Sequence, residues 1–197
     1  DMSEPLGRMV GNFLEIEETL DCLEGKGPDD LMEVTYRLGA WMLVAAGIEK
    51  DLEAGLAACR AAIADGSALK LFLANVRTQG GDVDKMLALR GKYRSKHSFE
   101  VKAPADGFVR RIDAWNIGLA GVHLGVGRNK TSDPVAPDVG FHFARKSGEK
   151  VKKGETVCTV WGKDSASLEA ARALIDAAFE FGGEAPAKQP LVLEEIS

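Results

Sequence analysis

The hydrophobic repeat of this chain changes character near Ser98, and few folds accommodate both halves. Before that point, apolar residues recur at steps of three and four, the spacing that lines one face of an α-helix. After it, Phe99 and Val101, Phe108 and Val109, then Val139, Phe141 and Phe143 alternate with polar or small residues, which argues for half-buried strands. Residues 1–94 therefore read as a helical array with no strands, and residues 95–197 as an α+β domain. The boundary falls at roughly Gly91 to Lys96, a basic and polar hinge.

In the first half, Pro5 and Gly7 punctuate an opening turn. Met9, Phe13, Ile16, Leu20 and Leu23 then form one stripe, with Glu15, Glu17, Glu18, Asp21 and Glu24 off it and Gly25 as the stop. A second helix starts at Pro28-Asp29-Asp30, where a first-turn proline is tolerated and carboxylates meet the positive helix end. Leu31, Val34, Leu38, Trp41 and Ala45 mark its buried side. A third helix begins near Asp51, a fourth carries Leu69, Phe72, Leu73 and Val76 up to Gly80-Gly81, and a short one fits Asp82 to Leu89. In the second half a short helix fits Asn116 to Leu124 and a loop follows to Pro137. Then come a strand at Thr156 to Trp161, a helix from about Ser165 to Phe181 capped by Asp164 or Ser165, and a final strand at Leu191 to Ile196.

Composition narrows the class. With 45% hydrophobic and 28% charged residues the chain is of ordinary globular type. The longest apolar run, Ala40 to Gly47, is too short to cross a bilayer and no secretory signal is present, so neither a membrane nor an extracellular setting is expected. A net charge of −5 argues against a general nucleic-acid binder. That charge is uneven: residues 1–30 hold nine acids against Arg8 and Lys26, and residues 90–111 hold seven bases against Glu100 and Asp106. Solvated faces and a linker account for such runs. Cys22, Cys59 and Cys158 are widely spaced and odd in number, which fits small core residues in a reducing cytoplasm rather than a disulfide framework. His97, His123 and His142 fall in three different elements with no zinc spacing. Gly125-Val126-Gly127-Arg128-Asn129-Lys130 lacks the spacing of a phosphate loop and reads as a connection.

Two segments, Val101 to Val109 (V-K-A-P-A-D-G-F-V) and Gly148 to Val160 (G-E-K-V-K-K-G-E-T-V-C-T-V), resemble the two halves of a biotinyl or lipoyl carrier domain. Both halves need tight turns with apolar residues between them, as a small flattened β-barrel does. A carrier also needs a lysine on the tip of an exposed hairpin. Lys163 is the nearest candidate, but W-G-K-D-S leads into a helix and no second hairpin presents it. The pair is better read as architecture than as a carrier module.

The opening D-M-x-x-P-L-G, then G-N, then L-E-x-x-E, followed by G-K-G-P-D-D-L, resembles a segment near the middle of the pyrimidine-nucleoside and thymidine phosphorylases, and the similarity runs on through the chain. The resemblance implies an α/β protein of which this chain is an α+β fragment. Residues 1–94 would be helices of the large α/β domain, and residues 95–197 a C-terminal α+β domain with a barrel-like sheet. Anthranilate phosphoribosyltransferases, related in fold, lack that last region. Because the chain opens at Asp1 without an initiator methionine, a piece of a longer protein is expected.

The implied activity of the intact enzyme is reversible phosphorolysis of a pyrimidine (deoxy)nucleoside to the base and the (deoxy)ribose 1-phosphate, in a cytoplasmic homodimer. AMP phosphorylases share these later motifs and remain an alternative. The family's phosphate loop and base-holding residues match no position here, so no catalytic and no organic-cofactor residue is assigned, and the fragment alone is expected to be inactive. One site carries over: a potassium or calcium ion held by the backbone oxygens of Leu6 and Met9 and the side chain of Glu18. Hard cations take oxygen ligands of this kind.

Overall fold

The computed structural model describes residues 1–128 and 130–196. They contain seven helices and two antiparallel sheets, and they divide into two compact units. One comprises Asp1–Ile16 with Tyr93–Pro190, the other Glu17–Lys92 with Leu191–Ser197.

The first unit holds every strand. β1 (Met9–Val10), β2 (His97–Lys102), β4 (Gly140–Phe143) and β6 (Thr156–Gly162) form one sheet in the order β1-β4-β6-β2. β3 (Gly107–Ile112), β5 (Lys150–Val151) and β7 (Phe179–Gly182) form the other, in the order β5-β3-β7. Two helices of this unit pack on one another, α6 (Ala114–Leu124) and α7 (Ser165–Ala178). Asp113 caps α6 through the Asn116 amide, and Asp164 caps α7 in a reciprocal box with Ser167. The core gathers Val109, Ile112, Ile117, Leu124, Phe141, Phe143, Val157, Val160 and Ile175.

The two carrier-like segments meet here. Ala103 N–H donates to the Glu155 carbonyl at 2.9 Å and Gly154 N–H returns a bond to Ala103 at 2.8 Å. Val109 and Gly148 are likewise joined at 2.8 Å. The barrel-like sheet expected from them is corrected: among the described residues both sheets are open, and register shifts at Val101/Lys102 and Val109/Arg111 interrupt the ladders.

The second unit is helical: the later part of α1 (Asn12–Leu23), then α2 (Asp29–Ala45), α3 (Leu52–Ala64), α4 (Ser67–Thr78) and α5 (Val83–Leu89). Asp51 and Asp82 cap α3 and α5 by accepting from Ala54 and Lys85 amides, each at 2.9 Å. α2 and α3 cross where Gly55 meets Ala40, because a side chain on Gly55 would lie 2.8 Å from the Ala40 carbonyl oxygen. Leu38 and Met42 on α2 and Leu71 on α4 stay exposed.

Four further expectations are corrected. A strand does precede residue 95, since Met9–Val10 pairs with β4. Helix α1 therefore starts only at Asn12, and its enclosed positions are Leu14, Glu17, Glu18, Leu20 and Cys22; of the expected stripe Leu20 is buried, while Phe13, Ile16 and Leu23 are half-buried. α7 stops at Ala178, where Phe179 turns into β7. Leu191 to Ile196 forms no strand.

Candidate functional site

Leu6, Met9 and Glu18 fall on different parts of the architecture. Leu6 and Met9 belong to the first unit and Glu18 to the second. Glu18 is 5% exposed, so it is not the plain surface glutamate that its abundant acidic neighbours suggest. Glu17 beside it is also enclosed and accepts the Gly91 N–H at 2.8 Å.

The segment from Glu4 to Met9 is held by the loop that follows β4. Lys146 donates from Nζ to the Pro5 carbonyl and, at 2.9 Å, to the Gly7 carbonyl. The same ammonium lies 3.9 Å from Glu4 Oε1, and its side chain is 13% exposed. Ser147 N–H donates to Glu4 Oε1 at 3.1 Å. Arg8 donates to the carbonyls of Phe143 and Ala144, at 3.3 Å each, and pairs with Glu149. Phe143 N–H in turn donates to the Arg8 carbonyl at 2.8 Å.

These bonds sort the carbonyls of residues 5 to 9. Those of Pro5 and Gly7 go to Lys146, and that of Arg8 goes to Phe143. Arg8 and Phe143 thus face each other as a hydrogen-bonded pair, so the next pair, Met9 with His142, is of the non-bonded kind. Its alternation turns the Met9 carbonyl away from β4. Leu6 is 38% exposed.

Neither bond was legible in the sequence: Lys146 meets the opening turn across 139 positions of chain, and Arg8 of that turn reaches Phe143 across 135, and a lone Arg-Lys after a strand carries no local signal.

The remaining candidates lie apart. Among the described residues no three His, Cys, Asp or Glu side chains gather as a metal group. His97 lies on β2 with Nδ1 3.4 Å from Ser165 Oγ, His123 on α6 and His142 on β4. Burial pushes the Cys22 thiol up to about 11, with Glu18 and Asp21 adding to it, and burial pushes Cys158 up further, so both stay protonated and unreactive. Lys163 follows β6 directly, its N–H donates to the Leu124 carbonyl at 3.2 Å, and the α7 cap begins at the next residue; it occupies no hairpin tip. Of Gly125 to Lys130, Asn129 lies outside the described residues; Gly125 caps α6 with a positive φ, and Asn12 Nδ2 donates to the Val126 carbonyl at 3.2 Å, a connecting role. In the helical unit a groove of about 370 Å³ has a mainly apolar lining that includes Cys22, Met32, Cys59 and Ile63, with Thr19, Thr35 and Tyr36 as its hydroxyl-bearing residues. No described helix is long and apolar enough to cross a membrane.

Comparison with known proteins bears on the same residues. Residues 108–182 match the family model described as pyrimidine nucleoside phosphorylase C-terminal domain. Over 160 residues the chain is 40% identical to a pyrimidine-nucleoside phosphorylase of Staphylococcus haemolyticus (strain JCSC1435), and 37% identical to one of Staphylococcus aureus (strain USA300). Each alignment covers 81% of this chain but 37% of the relative, so the chain spans well under half the length of the curated proteins it matches.

Proposed function

We propose, from the premise that this chain belongs to the pyrimidine-nucleoside phosphorylase family as a C-terminal portion, that it is the supporting part of a pentosyltransferase. The intact enzyme joins phosphate to the sugar of a pyrimidine nucleoside: a phosphate oxygen bonds to C1′, the C1′–N bond breaks, and the base leaves with its electron pair and takes a proton. The observation that carries this reading is the 40% identity along 81% of the chain, together with the family match at residues 108–182.

The residues described here are suited to holding and charge placement rather than to bond making. The Leu6 and Met9 carbonyls and the Glu18 carboxylate would bind a potassium or calcium ion, and each is an oxygen donor, as a hard cation requires. When bound, that ion supplies positive charge near the phosphate subsite. All three ligands enter this set from the resemblance. The enzyme would work as a cytoplasmic homodimer on free nucleoside and phosphate.

Two assays test the reading. Purified as the 197-residue chain, the protein is expected to show no thymidine phosphorolysis; measurable turnover would mean that reactive groups lie within it. The full-length protein, assayed with thymidine, uridine and AMP, is expected to act on a pyrimidine nucleoside. Turnover of AMP alone would place it with the AMP phosphorylases instead.

A further inference from the structure

We propose that the groove of the helical unit holds a soft monovalent ion, copper(I), between the Cys22 thiolate and the Met32 thioether. The inference goes beyond the phosphorolysis reading and does not depend on it.

Cys22 lies on α1 and Met32 on α2, and the turn between them carries Gly27. The position that a Cβ on Gly27 would take lies 2.5 Å from Cys22 Sγ and 2.9 Å from Met32 Sδ, so the two sulfurs share the space that a side chain there would fill. Both residues line the groove of about 370 Å³, which gives an ion a way in although Cys22 itself is only 9% exposed. Cys59 lines the groove too, but its sulfur lies over Gly39, about two turns farther along α2 than Met32. Thiolate and thioether are soft donors, which select copper(I) over potassium, calcium or magnesium. The surroundings favour positive charge as well. Burial is the main cause of the raised Cys22 pKa, but Glu18, Asp21 and Asp30 raise it further, so a negative field acts at this sulfur. That field opposes a bare thiolate and attracts a cation, and an ion bound to the thiolate cancels the charge that burial penalises. On binding, the Cys22 S–H bond breaks, an S–Cu bond forms and the proton goes to solvent, with no change of oxidation state.

The test titrates copper(I) into full-length protein without oxygen, against bicinchoninate as a coloured competitor for the ion. Wild type is expected to withhold one equivalent. Cys22→Ser and Met32→Leu are each expected to weaken retention by about tenfold or more, because losing a ligand costs at least what losing a residue that orients one does. Cys59→Ser and Cys158→Ser are expected to leave it unchanged. Met32→Leu nearly conserves volume, so it reads the site if Cys22→Ser does not fold. Equal retention by wild type and Met32→Leu would reduce the site to a single thiol and overturn the proposal. Retention lost in Cys59→Ser but kept in Cys22→Ser would place the ion elsewhere in the groove and overturn it equally. So would a wild-type protein that yields all its copper to the competitor.

Discussion

Arg90 shows how a single side chain gives meaning to the uneven charge of this chain. Its guanidinium donates to both Glu24 oxygens, at 2.7 and 3.2 Å, and also pairs with Asp21. The acidic opening and the basic stretch after residue 89 are thus joined at Arg90 rather than being independent solvated faces. Hydrogen bonding from Arg90, with help from Lys26, holds the Glu24 carboxyl down at about 2. A depressed carboxylate stabilises the folded state above its ordinary value of about 4.5 and loses that contribution as pH falls toward 2. Arg90→Met is therefore expected to raise the Glu24 midpoint toward the ordinary value in an NMR titration. It should also cost about 1 kcal/mol at pH 7, small because all three side chains are partly solvated. An unmoved Glu24 midpoint would contradict the pairing.

Among the elements, one of the two shortest strands has demanding neighbours. β1 is two residues long, yet it sets the register of the opening turn against β4. Gly11 and Gly140 allow the approach. A Cβ on Gly140 would lie 2.0 Å from the Val10 carbonyl oxygen, and the Gly140 φ of 142° is one that side chains rarely adopt. Gly140→Ala is expected to destabilise the protein by about 2–4 kcal/mol and to release β1 from β4. Hydrogen exchange at Val10 and Phe141 would report that release, and unchanged protection there would count against the close approach. The element-level reading of the sequence succeeded where period and cap agreed, as in α3 with Asp51 and α5 with Asp82. It failed at Met9, because a two-residue strand has no period to read and Gly11 looks like helix punctuation from sequence alone. It failed again at Phe179, where the apolar stripe of α7 continues without interruption into a strand.

For the molecule as a whole, the division of the chain differs from a cut at the hinge. Asp1–Ile16 belongs with Tyr93–Pro190, and Leu191–Ser197 with the helical unit, where Arg37 pairs with Glu195. A chain shortened to residues 95–197 would lack β1, the Asn12 bonds to the loop after α6, and the Pro5 and Gly7 carbonyls that accept from the Lys146 ammonium. It is expected to melt below the same region retained within residues 1–197, by roughly 4–8 °C for each kcal/mol lost. Equal melting temperatures would show that the opening segment contributes nothing to this unit.

Local physics was enough to determine that seven helices form, where the period changes near Ser98, and that two turn-rich segments belong together. These depend on residue spacing over a dozen positions or fewer, or on motifs read directly. Tertiary structure alone decided that the sheets stay open, that Glu18 is enclosed, that Lys146 closes on the opening turn and that Arg8 of that turn reaches Phe143 and Glu149. Each of those depends on groups brought together from distant parts of the chain. No periodicity encodes which carbonyl a remote ammonium will choose; packing and hydrogen-bond satisfaction choose it.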